Sequence, residues 1–93
     1  MKSVRRGDVV LSTAGHDKGI YFLVLDVVGE NNQYLLLADG KNRTVIKPKK
    51  KKIKHCSVMP RKELGTDLFA DGKAPLDAHI CKYLRLFLSE EAY

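Results

Sequence analysis

The stretch Ile20 to Val28, IYFLVLDVV, constrains this chain more than any other. Aromatic and β-branched residues occupy both parities, which suits a strand covered on both faces. Such a strand needs partners, and its surroundings supply them at short intervals. DVVLS precedes it, followed by TAGHDKG, a loop opened and closed by Gly15 and Gly19. After the turn GENNQ comes YLLLA, and then DGKN, whose Asp-Gly pair favours a tight hairpin into RTVIK as a fourth strand. A fifth strand is expected at the end of the lysine run, with Ile53 and Val58 turned inward. Their opposite parity calls for a bulge nearby, and Pro48 restricts this segment to an edge or a bend. No helix-period pattern competes in the first sixty residues.

Beyond them the pattern changes. Residues 60–76 have no sustained period and read as a linking loop, with Leu68 and Phe69 tucked against the strands. From Asp77, placed as an N-cap after Pro75, the period becomes helical. Tyr83, Phe87, Ile80, Leu84, Leu88 and Cys81 then fall within an arc of about 160°, opposite Lys82, Arg85 and Ser89. The expected architecture is mainly β: a small barrel of about five strands over residues 1–59, the linking loop, and an amphipathic helix over 77–90 packed on it as a single domain. A partner-facing helix is the rival use of that stripe. Ninety-three residues suffice for one core and not for two.

Charge is distributed as unevenly as structure. Met1 to Pro60 holds 12 Lys/Arg against 5 Asp/Glu, or +7, while Arg61 to Tyr93 holds 5 against 6, or −1. Six of the eight residues from Lys47 to Lys54 are lysine. Such a run can guard a sheet edge, act as a nuclear address or bind phosphates. No apolar run is long enough for a membrane helix, and the basic start lacks the apolar stretch of a signal peptide, so a cytoplasmic protein without membrane contact is expected. Cys56 and Cys81, 25 residues apart with no second pair, spell neither a zinc ribbon nor a disulfide framework. His16, His55 and His79 lack metal-ligand spacing. No nucleophile elbow or Gly-Lys-Ser/Thr loop occurs, and Asp8, Asp17 and Asp26 form no recognisable pair, so neither catalysis, a cofactor nor a small-molecule substrate is expected.

The segment GHDKGIYFLVLDV followed by LLLADGKN resembles the KOW family of nucleic-acid-binding modules. The elements are the Lys18-Gly19 turn, the apolar strand Ile20 to Val28, and Asp39-Gly40-Lys41-Asn42. With KPKKKKIKH after them, the chain is similar to stand-alone bacterial KOW RNA-binding proteins, themselves similar to the eukaryotic-type ribosomal protein fourteen of the large subunit. The resemblance covers Arg6 to Val58; where KOW motifs often carry a second glycine just after the Lys-Gly turn, this chain has Tyr21 and Phe22. It implies an SH3-like barrel, binding to structured RNA, ribosomal RNA foremost, and association with the ribosome or its assembly, ribosomal proteins included.

RNA binding requires cations at phosphate spacing and backbone donors that come close. Alternate residues of a strand lie about 6.5 to 7 Å apart on one face, so Lys50, Lys52 and Lys54 could follow one nucleic-acid backbone. Lys47, Lys49 and Lys51 complete the run, with Lys41 and Arg43 upstream. Gly15 and Gly19 would let the loop bring N–H groups to a phosphate, with Lys18 adding charge and His16 a hydrogen bond or stack. Arg5 and Arg6 read as peripheral charge. Tyr21, Phe22 and Tyr34 read as core residues ahead of stacking platforms, with Tyr34 beside its polar turn the candidate if one of them is exposed. The rival function is a protein-interaction module using the barrel and the helix without direct nucleic-acid contact.

Overall fold

A computed structural model describes residues 4–62, 64 and 67–91. Five antiparallel strands form one sheet: β1 (Val9–Ser12), β2 (Tyr21–Val28), β3 (Tyr34–Ala38), β4 (Lys49–Lys52) and β5 (Cys56–Val58). Their spatial order is β4-β3-β2-β1-β5. Single 3-10 turns occupy Glu30–Asn32 and Ile53–His55, and one helix, α1 (Asp77–Glu91), follows the strands. The two edge strands, β4 and β5, are thus joined directly through the turn at Ile53–His55.

The sheet buries apolar residues on both faces, as β2 requires. Val10, Phe22, Val24, Leu35 and Leu37 form the inner cluster. Val9, Leu23 and Ala38 meet Ile80, Leu84 and Phe87 of α1 on the outer face, with Tyr83, Leu68 and Phe69 packed beside them. The amphipathic stripe of the helix is therefore engaged by the sheet. Fully burying such side chains contributes about 1.5 to 3 kcal/mol each.

A bulge falls in β2, where the register slips between Val24 and Asp26. Strict alternation would carry Asp26 inward behind Phe22 and Val24. The extra residue shifts the phase, so Asp26 is exposed and Val27 packs on the inner cluster instead. No bulge is needed at Ile53 and Val58, whose parity conflict is absorbed by the 3-10 turn between β4 and β5.

Two further expectations are corrected. RTVIK is not a strand, because β3 pairs with Lys49–Lys52 and residues 39–48 form a loop. Side chains take the amides a ladder would have used. Asp39 Oδ1 accepts from the N–H groups of Lys41 and Arg43, each at 2.9 Å, Asp77 Oδ1 accepts from Val45 N–H at 2.8 Å, and Thr44 Oγ1 accepts from Lys47 N–H at 3.2 Å. Asp77 is consequently not the cap of its own helix. The Leu76 carbonyl accepts the first helical bonds, from His79 and Ile80, while the Asp77 carboxylate ties the loop to α1. Gly40, at φ +80°, sits against this helix start, where an added Cβ would collide with the Asp77 carbonyl and Cys81.

Candidate nucleic-acid interface

The pleat of β4 divides the lysine run. Tyr34 lies opposite Lys52 and Leu36 opposite Lys50, so these four side chains share the outer side of the sheet; Lys49 and Lys51, opposite Leu37 and Leu35, point the other way. On the outer side Lys50 and Lys52 are exposed. Their ammonium groups lie 4.7 and 6.0 Å from the centroid of the Tyr34 ring. Two cations of an edge strand therefore approach one aromatic ring, a contact that orders the long side chains at little cost in desolvation.

The inner side is different. Lys51 is only 8% exposed, and its ammonium donates to Asp17 Oδ1 at 2.8 Å and to the Ala14 carbonyl at 2.7 Å. Ser12 Oγ donates to the same carboxylate oxygen at 2.7 Å. Burial pushes the Asp17 carboxyl up, but hydrogen bonds from Lys51 and Ser12 and the charges of Lys51 and Lys49 outweigh it and hold the acid below its ordinary range. Among the described residues Asp17 Oδ2 is buried without a hydrogen-bond partner; the Lys49 ammonium lies 4.0 Å from it. Lys51 thus departs from its expected role, since its charge is neutralised inside the protein.

The glycine loop is built around this pair. Gly15, at φ +86°, has no side chain to block the Lys51 ammonium, which lies 3.4 Å from where its Cβ would be. Gly19 N–H donates to the Ser12 carbonyl at 2.9 Å and Lys18 N–H to the Gly15 carbonyl at 3.2 Å. These two amides close the loop instead of facing an external phosphate. Lys18 and His16 are exposed around it.

The remaining cations occupy two other places. Lys54 is exposed but lies in the 3-10 turn, so it does not continue the alternation of Lys50 and Lys52. Lys41, Arg43 and Lys47 are exposed along the loop 39–48 beside the start of α1. The Cys56 thiol is pushed up by burial, with the nearby Lys51 charge opposing this shift. Among the described residues no group of three His, Cys, Asp or Glu side chains could hold a metal ion, and no helix is long and apolar enough to cross a membrane.

Asp17 and Ser12 organise the site, yet sequence reasoning passed over both. The available signal was an acid between two glycines in a strongly basic segment. No protein-family model matches the chain, nor does any curated protein.

Proposed function

We propose that this chain is a non-catalytic RNA-binding module of KOW type, and that the outer side of β4 is its contact surface. The observation that carries the reading is the pair of exposed lysines, Lys50 and Lys52, that both reach the Tyr34 ring at a sheet edge. Phosphates would meet the ammonium groups, with Lys18, Lys41, Arg43, Lys47 and Lys54 extending the positive surface and ribosomal RNA as the foremost target. An edge strand with no second neighbour lets a polyanion approach from the side. The meander β1 to β4, with the turn at Ile53–His55 leading to β5 beside β1, supports an SH3-like barrel closed at that turn. The protein-interaction reading has less surface to draw on, since Leu84 and Phe87 are buried against the sheet.

Contact with four to six phosphates predicts a slope of about −3 to −5 in log affinity against log salt. Replacing Lys50 and Lys52 together by Ala should weaken binding to every RNA sequence alike and make the slope shallower by about 2. Titration of ribosomal RNA fragments across a salt series, with wild type and K50A/K52A, checks both. An unchanged slope in the double variant removes β4 from the interface.

A further inference from the structure

A cleft of about 350 Å³ opens between the approach to β1, the segment after β5 and α1, and none of its lining residues belongs to β4. In the sheet order, β2 and β3 separate β1 from β4, so this cleft is distinct from the lysine edge. Its size falls in the range of small-ligand sites. Among the described residues four cations line it, Arg5, Arg6, Arg61 and Lys62, against two acids, Asp8 and Asp67.

Asp8 is 4% exposed and held by Arg61, with contacts of 2.8 Å to Nε and 3.1 Å to Nη2. That charge pair is structural, and Lys62 donates to the Phe87 carbonyl at 2.9 Å, so the cations left to a ligand are Arg5 and Arg6. The Arg5 side chain is exposed and has no partner among the described residues. Arg6 Cζ lies over the Phe69 ring, 5.4 Å from its centroid, and among the described residues its carboxylate neighbour is Asp26, at a loose 3.9 Å. Leu68 and Tyr83 add an apolar wall. The Tyr83 hydroxyl has no hydrogen-bond partner among the described residues; burial, reinforced by Asp8 and Asp67, holds its pKa up, so it remains a donor. Asp67, exposed at the rim, offers an acceptor beside these cations.

We propose that this cleft is a second ligand site and that it takes a nucleotide. Planar guanidinium forks match phosphate oxygens. The wall of Leu68 and Tyr83 suits a flat base, and Asp67 suits the N–H or hydroxyl donors of a base or ribose, which a bare phosphate or a fatty acid lacks. A free nucleotide and one within an RNA chain carry this chemistry alike.

Titrating the labelled protein with adenosine monophosphate, inorganic phosphate and a 5′-phosphorylated RNA tetranucleotide, while following backbone amide resonances, separates the outcomes. Saturable shifts at Gly7, Phe69 and Tyr83, about tenfold weaker in R6Q and in R5Q and unaltered in K50A/K52A, are expected. Because Arg5 and Arg6 are surface side chains, either variant should keep the dispersed spectrum of the fold. Shifts at these amides with the tetranucleotide alone would assign the site to an RNA chain. Equal affinity for inorganic phosphate would overturn the nucleotide assignment, as would the absence of shifts there with both nucleotide ligands, or unchanged affinity in both arginine variants. Loss of the cleft signal with the salt-dependent binding at β4 intact would sink this proposal alone.

Discussion

The two sides of β4 carry the same residue and do opposite things. Lys50 and Lys52 stand in solvent beside Tyr34, whereas Lys51 is enclosed with Asp17 and Lys49 is drawn to that acid at 4.0 Å. Nothing in side-chain chemistry separates them. Strand parity does, because a one-residue step turns an ammonium from water toward a buried carboxylate. A basic run in an extended segment is therefore two sets of residues, of which the outer one is available to a polyanion.

The largest effect that would sharpen this contrast is on stability. Lys51→Met should destabilise the fold by about 3 kcal/mol, because removing one member of a buried pair strands the other charge; chemical denaturation against K50A/K52A, expected to stay within about 0.5 kcal/mol of wild type, measures the difference. Equal losses in the two variants would erase the distinction between the sides. The next effect is on pH. Since the folded carboxyl of Asp17 is held below its ordinary range, its contribution is present above the unfolded pKa and disappears as pH falls through the folded one. Melting temperature should consequently drop on acidification in wild type, and the drop should be smaller in Asp17→Asn, which begins from a lower stability. The smallest effect belongs to Lys49→Ala, whose long ion pair leaves the side chain 33% exposed. A loss of about 0.5 kcal/mol is expected there, and a loss as large as that of Lys51→Met would mean that Asp17 depends on both lysines equally.

Much of this arrangement was legible from periodicity. The double-faced apolar pattern of β2, the strands VVLS and YLLLA, and the helical stripe beginning near Asp77 all correspond to elements that bury what their patterns present. Local preference failed where a side chain captured the backbone. Arg43 to Lys47 has the composition of a strand, but Asp39, Thr44 and Asp77 accept its amide protons and β3 turns to the lysines instead. Lys54 was grouped with Lys50 and Lys52 by alternation, which ends at the 3-10 turn beginning with Ile53. The role of Lys51 was illegible for another reason. Its partner lies 34 residues away, beyond the reach of any local pattern, and a run of identical residues gives no cue to which member is enclosed.

The tie between Asp77 and Val45 also bears on the order in which the chain can be completed during synthesis. Val45 lies 32 residues before its acceptor, and Gly40 rests against a helix that follows all five strands in the chain. All five strands are therefore synthesised before the group that fastens the loop between β3 and β4 has been made. Until α1 emerges and docks, Leu23 and Ala38 lack their cover and the loop bearing Lys41, Arg43 and Lys47 lacks its anchor. The basic loop therefore acquires its final shape only after α1 has been made, although its own residues precede that helix by some thirty positions.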